Sequence, residues 1–205
     1  MKPILIAVVG GSASGKTTLA GDLARALRPH SVRVTQDSFY LDASHLTPAR
    51  RDRLNFDHPR RIDWAMLVDA LSQVLDGRAV SIPCYSFETH AREAKTERLE
   101  PKRFIIAEGL WLLRRREIRS RCALRVFVSC PSAKRLGRRL ERDTTERGRT
   151  RTTILQQWHR QTEPGFHRFV APQLPLADVV VRSPATPAQV ANLAKRIRTL
   201  AENQP

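Results

Sequence analysis

Gly10, Gly11, Ser12, Ala13, Ser14, Gly15, Lys16 and Thr17, followed by Thr18, are the residues whose types and spacing most directly dictate a chemistry. In a G-x-x-x-x-G-K-[ST] segment the backbone N–H groups can turn inward around bridging phosphates, the lysine reaches the terminal phosphates, and the hydroxyl can ligate Mg²⁺. A glycine-rich turn outside any such framework could carry the same letters, so the flanking sequence decides. Here an apolar run over residues 4–9 leads in, and an amphipathic stretch over residues 17–27 leads out, which adds the positive end of a helix to the cradle. The expectation is binding of a nucleoside triphosphate, ATP or GTP, with Mg²⁺.

Two acids stand where such a cradle needs them. Asp37 lies just beyond the apolar run at residues 32–36, and Glu108 closes the run at residues 104–107. A right-handed crossover returns the chain so that successive parallel strands end at one edge, which puts Asp37 near the terminal phosphate. There it can take the proton of an attacking hydroxyl and help organise Mg²⁺, with Glu108 and Thr17 as the other candidates for the metal. Local alternatives exist: Asp37 could cap the turn at Ser38, Phe39 and Tyr40, and a strand-end glutamate can be plain surface.

The third group is basic. Arg135, Arg139 and Arg142 recur at helical spacing with Arg138 beside them, and Arg147, Gly148 and Arg149 follow, while Leu136 and Leu140 are expected to supply the buried stripe. Guanidinium groups over a triphosphate would stabilise the charge of a transferring phosphoryl group, with Arg142 and Arg147 as candidate catalytic groups and Arg149 as a nucleotide contact. The competing reading is a solvated basic face, which is also the reading for Arg114, Arg115 and Arg116.

These groups need a frame. Strand-like runs at residues 4–9, 32–36, 104–107, 124–128 and 179–181 alternate with helix-like stretches at 17–27, 63–75, 131–143, 152–169 and 187–201. The expected fold is α/β, a P-loop NTPase-type parallel sheet covered by helices on both faces. A single domain over residues 1–205 is expected to carry a small β-hairpin insertion at about 79–101 and an Arg-rich helical lid at 131–151.

Composition bounds the partners. The chain of 205 residues carries 36 Lys+Arg against 20 Asp+Glu, a net +16, which makes a nucleic-acid-binding ATPase a serious competitor, although the clustering of arginine after residue 134 argues for a site instead. No apolar run is long enough for a membrane span and no secretory leader is evident, so a cytoplasmic protein is expected. Cys84, Cys122 and Cys130 lack metal-binding or disulfide spacing.

The ordered blocks resemble the uridine–cytidine kinase family. They are Gly11 to Thr17, Asp37-Ser38-Phe39-Tyr40, Asn55-Phe56-Asp57-His58-Pro59, Pro83-Cys84-Tyr85-Ser86-Phe87 with His90 and Arg92, Ala107-Glu108-Gly109-Leu110, and Arg138 to Asp143 through Glu146-Arg147-Gly148-Arg149. The resemblance covers nearly the whole chain, and it implies transfer of a γ-phosphate to the 5′-hydroxyl of uridine or cytidine in pyrimidine salvage. It makes Asp37 the base, sets Asp57 with Arg139 or Arg142 on the ribose hydroxyls, and places Tyr40, Tyr85, His90, Arg147 and Gln157 around the nucleoside. It also implies a homo-oligomer, a tetramer or dimer. Phosphoribulokinase- or pantothenate kinase-like activity on another small alcohol would keep Lys16, Asp37 and Glu108 with a different pocket. Ser129 departs from the family pattern, which has an acid there; serine can serve as a helix cap in its place.

Overall fold

Seven residues from Ile4 to Gly10 form strand β1, buried along its whole length. Its side chains alternate between two cores: Leu5, Ala7 and Val9 face one, and Ile4, Ile6 and Val8 the other. A strand apolar on both faces must lie inside a sheet covered on both sides. In the computed structural model, which describes residues 2–51 and 54–203, that is its place.

The sheet contains β1, β2 (Ser31–Thr35), β5 (Phe104–Gly109), β6 (Cys122–Ser129) and β7 (Val179–Arg182), all parallel, in the order β2-β5-β1-β6-β7. One face is covered by helices α1 (Lys16–Ala26) and α8 (Pro187–Glu202), through Leu19, Leu23, Leu193 and Ile197. The other is covered by α3 (Trp64–Leu75) through Leu67, Ala70, Leu71 and Val74, with Trp111, Leu112 and Ile118 of the segment after β5. Two short helices, α2 (Pro48–Arg51) and α4 (Arg116–Arg119), lie in the connections. The alternating pattern read from sequence is therefore the observed one, with ends shifted by a residue or two.

Strands β3 (Val80–Ser86) and β4 (Ala91–Leu99) pair antiparallel as a separate two-stranded sheet, the expected hairpin. Arg92 ties it down: its Nε donates to the Tyr40 carbonyl at 3.0 Å and its Nη2 to Asp63 Oδ2 at 3.1 Å. Asp63 is also the N-cap of α3, accepting from Met66 N, so one carboxylate joins helix and hairpin.

Two expectations need correction. The helix expected over residues 152–169 is a chain of turns: α6 (Arg151–Gln157), a π turn at Trp158–Thr162, α7 (Glu163–Gly165) and a second π turn at Phe166–Val170. Pro164 has no N–H for the ladder, and the widened turns on either side accommodate the loss. The second concerns α5 (Ser132–Thr145). Leu136 and Leu140 are only partly buried, and the buried stripe is Arg135, Arg139 and Asp143. Nor does Ser129 cap this helix. It ends β6, and the N-cap is Pro131, with no side-chain capping bond.

Candidate active site

Sheet register assembles the site. Val8 of β1 lies beside Glu108 of β5, and Thr35 of β2 lies on the other side of Glu108, so the loop after β1, Glu108 and Asp37 reach one edge. Gln36 fixes the β2 end. It is fully buried, its Oε1 accepts from Trp111 N at 2.9 Å, and a Cβ on Gly109 would sit 2.4 Å from it, so glycine is required there. Asp37 itself is not the local cap; Thr35 is, accepting from Asp37 N at 3.2 Å, which leaves the Asp37 carboxylate for the cavity.

The loop from Gly10 to Gly15 has the geometry of a cradle. Gly15 takes φ +89° and Ala13 takes φ 59°, left-handed conformations that turn the chain sharply. A Cβ on Gly10 would meet Ser14 Oγ at 2.7 Å and the Val128 carbonyl at 2.8 Å. Ser14 is fully buried, and its Oγ has no hydrogen-bond partner among the described residues. Lys16 opens α1 and is 8% exposed. An open cleft of about 380 Å³ runs past Ala13, Lys16, Thr17 and Thr18 to Arg138 and Ser183. Arg138 is held there by its bond to Ser183 Oγ at 2.8 Å.

Thr17 Oγ1 donates to Glu108 Oε2 at 3.2 Å. A hydroxyl and a carboxylate side by side at the foot of a phosphate loop suit Mg²⁺, a hard ion that takes few protein oxygens and fills its shell with water and phosphate. Asp37 is close enough for Glu108 to raise its pKa. Burial is the larger cause of that rise, and Lys16, Arg147 and Arg142 oppose it.

A second, narrower cavity of about 60 Å³ adjoins Lys16 and Asp37, lined by Ser12, Tyr40, Phe56, Asp57, Phe87, His90 and the arginines of α5 and its following loop. Burial pushes Asp57 upward, but Arg139 and Thr162 outweigh it and hold the carboxyl below its ordinary value. The contacts are Thr162 Oγ1 to Asp57 Oδ2 at 2.7 Å and Arg139 to both carboxylate oxygens at 3.4 and 3.3 Å. Arg139 also donates to Ser12 Oγ at 3.2 Å, joining this cavity to the cradle, and to Gln157 Oε1 at 3.5 Å. Gly165 lets the irregular helix approach, since a Cβ there would be 3.0 Å from the Asp57 carbonyl.

The aromatic side comes from the hairpin. His90, at its tip with φ 53°, stacks on Phe56 at 4.0 Å and 11°. Tyr85 packs on Tyr40 at 5.1 Å, and burial pushes its phenol up to about 12; the Tyr85 hydroxyl is buried with no hydrogen-bond partner among the described residues. Tyr40 Oη donates to the Phe56 carbonyl at 2.9 Å. Arg147 lies over Phe87 at 4.3 Å, and burial with Arg142 nearby lowers its pKa. Arg149 sits on this side, 3.2 Å from Gln157 Oε1 and 3.4 Å from His90 Nε2.

The structure places most of the candidate side chains named from sequence around the two cavities; Tyr85 and Gln157 line neither, Tyr85 packing on Tyr40 and Gln157 accepting from Arg139 and Arg149. It adds residues that were not singled out. Phe56 is readable in retrospect as the ring beside Asp57. Asp143 is an acid four residues after Arg139 in a basic helix. Thr162 and Glu163 carry no sequence signal, because a π turn aims them. Among the described residues, no group of three or more His, Cys, Asp or Glu side chains could hold a metal by itself, and no helix is long and apolar enough to cross a membrane.

Comparison with known proteins shows the family to which the chain belongs. Residues 5–189 match the model of the family described as "Phosphoribulokinase / Uridine kinase family". A uridine kinase of Lactobacillus johnsonii is 39% identical over 182 residues, 88% of this chain and 86% of the relative. One of Tolumonas auensis is 38% identical over 203 residues, 96% of this chain and 95% of the relative. The solved phosphoribulokinase from Rhodobacter spheroides superposes with a TM-score of 0.68 at 16% identity, over 88% of this chain and 70% of its own, which shows a shared fold.

Proposed function

Because the chain belongs to the phosphoribulokinase and uridine kinase family, we propose that it transfers the γ-phosphoryl group of ATP or GTP to the 5′-hydroxyl of uridine or cytidine. The observation that carries the choice of acceptor is the aromatic wall of Tyr40, Phe56 and His90 in the cavity that also holds Lys16 and Asp37. Aromatic faces receive a planar base, whereas a sugar phosphate has no flat apolar face to offer. Asp57 and Arg139 supply a paired acceptor and donor for vicinal ribose hydroxyls; of Tyr85 and His90, one ring supplies an apolar face and the other a hydrogen bond to the base edge, with Gln157 a further contact to the base.

The ribose 5′-oxygen attacks the γ-phosphorus, the bond to the β–γ bridging oxygen breaks, and the hydroxyl proton passes to Asp37. Lys16, Arg142 and Arg147 offset charge on the transferring oxygens. Thr17 and Glu108, with Asp37 adjacent, would hold Mg²⁺, which when bound supplies charge neutralisation on the phosphates. The donor base would lie in the open cleft beside Arg138. The acceptor cavity is far below the roughly 300–1,000 Å³ usual for ligand sites. Nucleoside entry therefore requires the hairpin and the proposed lid at residues 131–151 to move outward and reclose, excluding water.

Donor nucleotide and diffusible nucleoside meet in the cytoplasm, and the proposal includes a homo-oligomer, tetramer or dimer, which light scattering would size. The deciding assay incubates purified protein with Mg-ATP and separate uridine, cytidine, ribulose 5-phosphate and pantothenate, and measures phosphorylated product. UMP or CMP formation supports the reading; product from a non-nucleoside alone would overturn it.

A further inference from the structure

Asp143 is the most deeply buried acid near the site, with no exposed surface, and the reaction proposed above gives it no part. Four guanidinium groups converge on it. Its Oδ1 accepts from Arg142 Nε at 2.8 Å and lies 2.7 Å from Arg142 Nη2, and Arg147 Nη1 is 3.5 Å away. Its Oδ2 faces Arg139 Nε at 3.5 Å and Arg149 Nη1 at 3.7 Å. The main chain joins in: Gly148 turns the chain at φ 60°, so that Arg149 N donates to the Asp143 carbonyl at 3.0 Å. Helical spacing places Arg139 one turn before it, and Arg147 comes from the turn that follows the end of α5.

We propose that Asp143 is a positioning residue: a carboxylate behind the arginines that holds four of them as a preassembled fan facing the phosphates and the acceptor, while itself touching neither. This rests on the reading of the site as a phosphoryl-transfer centre. The charge count gives the reason. Four cations against Asp143 and the Asp57 that also pairs with Arg139 leave two in excess, so the cluster stays attractive to a triphosphate, yet the anion at its centre limits the mutual repulsion that would drive long side chains apart into solvent. The contacts to Arg139, Arg147 and Arg149 are long, and Oδ2 has no hydrogen-bond partner among the described residues, so the fan is held by charge more than by directional bonds. Arrival of phosphate can then draw Arg139, Arg147 and Arg149 forward without breaking short bonds to Asp143, while Arg142 stays anchored on it.

Asp143→Asn keeps the shape and removes the charge. It is tested in the full chain for kcat and KM with Mg-ATP and uridine, for binding of inorganic tripolyphosphate by calorimetry, and for thermal unfolding. The expected result is a kcat lowered about 10- to 100-fold, the usual loss when an outer partner that orients a working group is removed, with tripolyphosphate binding no weaker than in the parent. Asp143→Glu is expected to recover part of the kcat. A kcat within twofold of the parent overturns the proposal, as does loss of tripolyphosphate binding in step with thermal stability, or an Asn variant unfolded at assay temperature, each of which assigns Asp143 to the framework. Should the parent protein form no monophosphate, the reading of the reaction fails, and tripolyphosphate binding alone then decides the fan.

Discussion

Helices α1 and α5 both start at the sheet edge that carries the phosphate loop, yet they bury opposite chemistries. Beyond Lys16, α1 buries Leu19, Ala20 and Leu23 against the sheet. α5 buries Arg135, Arg139 and Asp143 against the irregular helix and Asp57. Arg135 is 1% exposed; its guanidinium lies 4.0 Å from the Phe166 ring centre and 5.1 Å from that of Trp158, and it bonds Glu163 at 2.8 Å. Arginine can be buried this way because its flat, weakly hydrated cation stacks on rings while its edge meets a carboxylate. The lesson is that α1 is a structural helix whose working residues, Lys16 to Thr18, are confined to its first turn, whereas α5 is working surface along its length. Substitutions in the first should cost stability, and those in the second activity.

The largest effect belongs to neither helix but to the acid between them. Asp37→Asn should lower kcat by about 10²–10⁴, the usual contribution of a positioned general base, while nucleotide binding measured by calorimetry stays near the parent value. The same variant should unfold at a higher temperature at pH 7. Burial raises the folded pKa of Asp37, so its favourable contribution to stability exists only at low pH, where it is protonated, and is lost as pH rises through the folded value. At neutral pH the ionised group is a cost that asparagine removes. The acid limb of kcat/KM should correspondingly lie above the ordinary carboxylate range. Unchanged turnover, or a lowered melting temperature, would remove Asp37 from the role.

Next come the working groups on the two helices. Lys16→Ala should reduce both donor affinity and kcat, with a combined loss of about 10²–10³, as for removal of one charge-stabilising donor. Arg139→Gln should lower kcat/KM for uridine by about 30-fold, equivalent to about 2 kcal/mol, because it leaves the buried Asp57 without its ion-pair partner. Arg139→Lys should rescue little of this, since a point charge cannot span both carboxylate oxygens and Ser12. Leu23→Ala, on the apolar face of α1, should instead lower unfolding free energy by about 2–5 kcal/mol with kcat unchanged. If Leu23→Ala alters kcat and Arg139→Gln alters only stability, the contrast between the helices is wrong.

The sheet, its order of elements and the hairpin were legible because apolar runs and turn residues are local signals, and the cradle was legible because its spacing is itself the geometry. Asp37 and Glu108 followed from where strands end. Three things were not legible. The inner face of α5 reads as polar, so a rule that buries leucine chose Leu136 and Leu140. The π turns that aim Thr162 at Asp57 and Glu163 at Arg135 depend on Pro164 and on tertiary packing, with no periodicity to announce them. Asp143 was visible as a letter within the arginine-rich run, but its four partners lie up to six residues from it along the chain, and only a folded helix end shows that they converge.

The smallest predicted effect is the sharpest test of the α5 reading. Leu140→Ala removes side-chain volume from a position that the hydrophobic pattern would put in the core but that the structure leaves partly exposed. A residue in the core would lose about 2–5 kcal/mol on this change. A partly exposed leucine keeps part of its surface in water in both states, so the loss should be about 1 kcal/mol or less. Denaturant unfolding resolves that difference, and kcat should stay at the parent value because Leu140 lines neither the donor cleft nor the acceptor cavity. A loss of several kcal/mol would place α5 with α1 as a helix packed by its leucines, and the arginines would return to being a charged surface.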